Sequence, residues 1–71
     1  MTKEALNYKK CVIVYLVTKY GLSEFEANKV FRQSYLHDAL TYYAKDTIHD
    51  SIETHAENIY QDYIYLALKE M

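Results

Sequence analysis

Cys11-Val12-Ile13-Val14-Tyr15-Leu16-Val17 is the longest apolar run in the chain, and its reading decides the fold class. Its β-branched residues suit a strand. A strand needs a partner, however, and no other segment alternates apolar and polar residues as a pairing strand would. The run is therefore read as part of a first helix over residues 2–20. At seven residues it falls far short of the ~20 needed to cross a bilayer. Lys9 and Lys10 precede it as in a secretory leader, but Thr18-Lys19-Tyr20-Gly21 offers no small-x-small cleavage site, so a cytoplasmic location without membrane association is expected. A helix with one face in water should carry a polar stripe, and this run is apolar all round. Helix one is thus expected to be either central in a bundle or half of a subunit interface, with Val14 at that interface. Cys11, with no His or Asp nearby in sequence, reads as a small core residue and not as a nucleophile.

Outward from this run the punctuation is local. Gly21 stands where a helix C-terminus commonly needs a left-handed residue, and Ser23 with Glu26 three positions on forms a capping box for the next helix. Ala27, Val30, Phe31, Ser34 and Tyr35 share a helical face, after which the pattern shifts and Leu36, Ala39, Leu40 and Tyr43 continue it. Residues 23–46 fit one bent helix or two; two are favoured, near residues 24–33 and 35–46, with Ser34 capping the second. Thr47 precedes Asp50 by three positions and Thr54 precedes Glu57 by three, so the last helix can start at either threonine. Its apolar stripe is clear: Ile52, Ala56, Ile59, Tyr63 and Leu66 recur at steps of four and three, widened by Tyr60, Ile64, Ala67 and Leu68. Lys69 suits its C-terminal end. The expected fold is all-α, a compact bundle of three or four short helices in a single helical domain over residues 1–71.

Composition bounds the function. The chain has 71 residues, 51% hydrophobic and 25% charged, with one Gly, no Pro, one Cys and a net charge of -2. This describes a soluble globular domain and excludes an intrachain disulfide framework, a multi-Cys zinc site and a low-complexity chain. The mild charge gives no reason to expect nucleic acid. Below about 70 to 80 residues a lone core rarely supplies more than roughly 3 to 5 kcal/mol. Exceptional helix packing or self-association must then make up the difference, so a homodimer or other homo-oligomer is expected.

Nine tyrosines are the strongest compositional feature. Tyrosine adds rigid apolar area and a hydroxyl that a wet rim can satisfy, which is why it is enriched at protein interfaces. Tyr15, Tyr35, Tyr43 and Tyr63 lie on helical stripes and read as core. Tyr42, Tyr60 and Tyr65 fall at the edges of the stripes or outside them and read, with Val14, as interface residues. Charge is divided along the chain. Residues 1–36 carry six Lys or Arg against three Glu, for +3, and residues 37–71 carry two Lys against seven acids, for -5. Complementarity between helices accounts for this; steering of a basic partner is the other reading.

The titratable residues form few patterns. His49 and Glu53 are one helical turn apart, but no third and fourth ligand stand at compatible spacing, so His37, His49 and His55 read as histidines on solvated helix faces and no metal or cofactor is expected. Helix two, the Ser34 turn and helix three mimic a helix-turn-helix, yet Leu36-His37-Asp38-Ala39-Leu40-Thr41-Tyr42-Tyr43 lacks the Arg or Lys a recognition helix needs.

Two resemblances bear on function. Arg32-Gln33-Ser34-Tyr35-Leu36-His37 has the Arg-x4-His spacing and resembles the catalytic motif of the HEPN ribonuclease superfamily of small helical bundles. That likeness covers six residues. It implies Arg32 stabilising phosphate charge and His37 as general acid or base, with two copies meeting across a dimer. Over residues 6–64, the order Tyr8-x2-Lys-Cys11, Gly21-Leu22-Ser23, Glu26-Ala27-x2-Val30-Phe31, Leu36-x2-Ala39-Leu40-x-Tyr42-Tyr43, His49 and Ala56-Glu57-x-Ile59-Tyr60-x-Asp62-Tyr63-Ile64 resembles a group of small bacterial helical domains of unknown function. Members of that group are sometimes encoded beside toxin-like genes. It implies a bacterial cytoplasmic accessory protein and carries over no catalytic residue. The sequence therefore reads as a non-enzymatic, self-associating protein-interaction module that binds a protein partner through tyrosine-rich helix faces, with a small HEPN-like ribonuclease using Arg32 and His37 as the alternative.

Overall fold

The computed structural model describes residues 1–69 and is all-α: α1 Lys3–Tyr20, α2 Glu24–Arg32, α3 Tyr35–Tyr42, α4 Ala44–Ile48 and α5 Ile52–Lys69. The apolar run around Val14 is helical, within α1. This helix begins where the Thr2 hydroxyl accepts the Ala5 N–H at 3.1 Å and ends at Gly21, whose φ of 69° and ψ of 24° place it in the left-handed region. Ser23 then caps α2: its hydroxyl oxygen accepts the Glu26 N–H at 3.1 Å and donates to the Glu26 carboxylate at 3.3 Å. Ser23→Ala removes a donor's only local partner at the helix start and is expected to cost about 0.5 to 2 kcal/mol, read as a lower urea midpoint at unchanged slope.

Ser34 does cap α3, accepting the Leu36 N–H at 3.2 Å and donating to the Phe31 carbonyl at 2.7 Å, so residues 23–46 do not form one bent helix. Nor does the helix begun at Tyr35 reach residue 46. It breaks at Tyr43, whose backbone (φ -133°, ψ 41°) leaves helical geometry, and α4 starts afresh at Ala44, bringing the helices among the described residues to five. The last helix starts at neither threonine. Ser51 takes that role, its hydroxyl accepting the Thr54 N–H at 3.2 Å. Thr47 is buried instead, and its hydroxyl donates at 2.8 Å to the Tyr43 carbonyl, which also accepts the Thr47 N–H at 3.0 Å.

α1 is the central helix. It packs along α5 and also touches α2, α3 and α4. Ala5, Tyr8, Val12, Ile13 and Leu16 of α1 meet Ala27, Val30 and Phe31 of α2, Leu36 and Leu40 of α3, and Ala56 and Ile59 of α5 in one core. Seven consecutive helical residues must visit every face, and the neighbours of α1 leave one stripe uncovered. Cys11 lies on that stripe and is exposed, not buried as expected; Val14 lies there too, 62% exposed. Among the described residues no helix is long and apolar enough to cross a membrane.

Candidate interaction surface

Core burial on α5 is confined to its first half, at His55, Ala56 and Ile59. The apolar stripe does not stop there. Tyr63 is half-buried against the core, but one turn further Leu66 is 57% exposed, and on the adjoining face Ile64, Tyr65 and Leu68 are 36%, 64% and 63% exposed. Beyond Tyr63 the stripe has little cover: Leu66 and Ala67 share only an open hollow with Lys29 and Gln33 at the end of α2. Periodicity marks which residues share a face; it does not say whether a neighbour reaches them.

The base of this overhang is a tyrosine cluster. Tyr20 at the end of α1 stacks on Tyr60 of α5 with ring centroids 3.7 Å apart and planes 6° apart, and Tyr15 meets Tyr20 edge-on at 6.4 Å. Lys19 lies over both Tyr15 and Tyr20, 5.4 and 5.9 Å from their centroids, and pairs with Glu57 at 2.6 Å. The Tyr15 hydroxyl donates to the same carboxylate at 3.1 Å. These bonds hold the Glu57 carboxyl below its ordinary range and push the Lys19 ammonium up. One basic charge of the N-terminal half thus meets one acid of the C-terminal half across the α1–α5 seam. Beyond the cluster, Tyr20, Tyr60, Gln61, Ile64, Tyr65 and Leu68 line a hollow of about 340 Å³ that opens to solvent.

Of the four expected interface residues, Tyr60 and Tyr65 share this hollow. Val14 lies away from it, beside a second hollow of about 480 Å³ between α1 and α2 that includes Leu6, Lys10 and Glu24. Tyr42 is 73% exposed near the end of α3. The four do not form one continuous patch. Phe25, 73% exposed on α2, is a large apolar surface residue absent from the sequence reading; Leu66 and Leu68, read there on the apolar face of the last helix, are exposed as well. Tyr43, expected in the core, is 68% exposed because the break in backbone geometry at this residue turns it off the stripe. Tyr35, also expected there, is 45% exposed, with its ring tilted against the buried His55 and its hydroxyl bonded to it. No family model, curated protein or solved structure matches this chain.

The Arg-x4-His pair falls on two helices. Arg32 is the last residue of α2 and His37 lies in α3, with the Ser34 cap between them; both are exposed. His37 directs Nδ1 toward the Asp38 carboxylate at 3.4 Å and sets its ring edge-on to Phe31 at 5.9 Å. Among the described residues no three of His, Cys, Asp and Glu gather closely enough to hold a metal ion.

His55 is a correction. It is only 8% exposed, not on a solvated face, and is set between Tyr8, edge-on at 6.3 Å, and Tyr35, tilted at 5.8 Å. Its Nδ1 shares a 2.8 Å hydrogen bond with the Tyr35 hydroxyl, and its Nε2 lies 3.4 Å from the Asp50 carboxylate. The Tyr8 hydroxyl donates to the Asp50 carbonyl at 2.8 Å, tying α1 to the turn before α5. Burial, reinforced by the charges of Asp50, Tyr35 and Glu53, pushes the Tyr8 phenol up to about 12. A raised folded-state value favours the neutral phenol. Its contribution to stability is therefore complete below pH ~10 and is lost as pH rises toward 12. We expect that loss to be on the order of 1 kcal/mol after solvent screening, and to disappear in Tyr8→Phe, when urea midpoints are compared across this window.

Proposed function

We propose that the chain is a non-enzymatic protein-interaction module that self-associates and binds a protein partner through its tyrosine-bearing helix faces. The observation that carries this reading is the apolar stripe of α5, which continues past the core and leaves Leu66 and Leu68, with Tyr65 beside them, more than half exposed. Large apolar side chains gathered on one surface mark interaction sites more often than chance exposure. Tyr42 and Val14 add smaller contacts elsewhere, so a homodimer and a separate protein partner can be accommodated on different faces. The core is filled by well-packed side chains, and the hollows are shallow surface features lined mainly by apolar and long polar groups. An active site needs convergent polar groups in a pocket. In keeping with the resemblance to small bacterial helical domains, the module acts in the bacterial cytoplasm as an accessory protein, without cofactor, metal, nucleic acid or membrane.

Two measurements test the reading. Sedimentation equilibrium from low to high micromolar concentration should show the chain associating, and a stable monomer throughout would remove self-association. Incubation with single-stranded and structured RNA should leave the RNA intact. Cleavage that disappears in His37→Ala would replace the interaction module with the ribonuclease reading based on Arg32 and His37.

A further inference from the structure

The exposed face of α5 has a pattern that selects its own partner. Gln61, Tyr65 and Leu68 follow one another at steps of four and three and so lie along one line of the helix, with Ile64 on one flank. On the other flank lie Asp62 and Lys69, opposite in charge, seven positions and about 10 Å apart along the axis. At that separation they do not meet within one helix. A second α5 laid parallel with two-fold symmetry would put the Asp62 and Lys69 flanks of the two copies on opposite sides of the contact and leave both charges unpaired. Laid antiparallel, crossing near residues 65 and 66, it brings each Asp62 within reach of the other copy's Lys69, and the Tyr65–Leu68 line of one copy across that of the other.

We infer that the C-terminal half of α5 is the self-association site, pairing antiparallel and two-fold symmetric with the same segment of a second copy. This inference rests on the self-association proposed above and names its face, its register and its charge contacts. Shape agrees with it, because the surface holds both parts of an isologous contact: Tyr65 and Leu68 stand out from the helix, and the hollow bounded by Tyr20 and Tyr60 lies beside them. The area agrees as well. At their exposures Ile64, Tyr65 and Leu68, with Gln61 and the rims of Tyr20 and Tyr60, present on the order of 500 Å², so a symmetric pair that covers all of it removes at most about 1,000 Å² from water, the size a specific interface should reach. A different protein would have to supply both the complementary shape and the reversed charge order. A second copy supplies both by symmetry.

The test uses the full chain and measures dimer dissociation by sedimentation equilibrium, with helical circular dichroism to show that each variant is folded. Leu68→Lys places a charge on an exposed position and should weaken the dimer by at least about tenfold, whereas Phe25→Lys, at another exposed apolar position on α2, should leave it unchanged. Asp62→Lys should weaken it several-fold, and the double variant Asp62→Lys/Lys69→Asp should restore it, because only a contact between copies can be rescued by exchanging these two charges. A wild-type chain that stays monomeric removes this inference together with the self-association on which it rests. A dimer that tolerates Leu68→Lys but separates in Val14→Lys keeps self-association and overturns the α5 site. A dimer broken by Leu68→Lys and not rescued by the charge exchange overturns the antiparallel register.

Discussion

Phe31→Ala is expected to leave the domain largely unfolded at 25 °C. Phe31 is fully buried, the largest such side chain in the core, and its ring carries Lys9 at 5.2 Å on one side and the edge of His37 at 5.9 Å on another. Truncating a buried phenylalanine costs about 3 to 5 kcal/mol, the lost transfer energy plus the cavity left when the surroundings relax only in part. The rigid termini of α2 and α3, tied by the Ser34 cap, resist collapse into that space. A core of this size supplies roughly 3 to 5 kcal/mol in total, so one substitution removes nearly all of it. Phe25→Ala is the matched control: the same atoms are deleted from a side chain 73% exposed, and the change should stay within about 0.5 kcal/mol. Urea unfolding followed by circular dichroism, at one fixed protein concentration, separates the two. A wild-type midpoint for Phe31→Ala would mean that the core is centred elsewhere.

What the residues revealed in advance, and what they did not, follows from the range of the interactions involved. The end of α1 and the start of α2 were legible because Gly21 and Ser23 act through bonds to groups three or four residues away. The break at Tyr43 was not, because no Gly or Pro marks it, and Thr47, whose hydroxyl resembles a cap in sequence, is buried and bonds back to the Tyr43 carbonyl. Ser51 was passed over because the residue three positions on is Thr54 and not an acid, although a hydroxyl suffices to hold the Thr54 N–H. The stripe on α5 was correct in its spacing, and its first half is core; that its second half has little cover depends on the lengths of the other helices. Tyr60 and Tyr65 were named as edge residues for the same reason that they now line one hollow: both sit beside the stripe and not on it. Cys11 and Val14 show the converse case, where a run that is apolar all round hides which of its faces the neighbours leave open.

His55 was the least legible residue, and its replacement should have the second-largest effect. Its burial is produced by Tyr8, from the far end of the chain, and by Tyr35 of α3, and neither lies near it in sequence. His55→Ala deletes a ring that touches both tyrosines, ends the 2.8 Å bond at Nδ1 and opens a void between α1, α3 and α5. Edge and tilted aromatic contacts contribute about 0.5 to 1.5 kcal/mol each and a hydrogen bond about 1 kcal/mol. Part of that sum is recovered, because Tyr35 is 45% exposed and its hydroxyl can turn to water. A net loss of about 2 to 3 kcal/mol is therefore expected in urea unfolding. Tyr35→Phe alone should cost roughly 1 kcal/mol by leaving Nδ1 enclosed without its partner. In the double variant the two costs should fall short of additive by about 1 kcal/mol, because the bond is lost only once. Full additivity would show that the Tyr35 hydroxyl and His55 do not stabilise the fold through each other, and that His55 acts through packing alone.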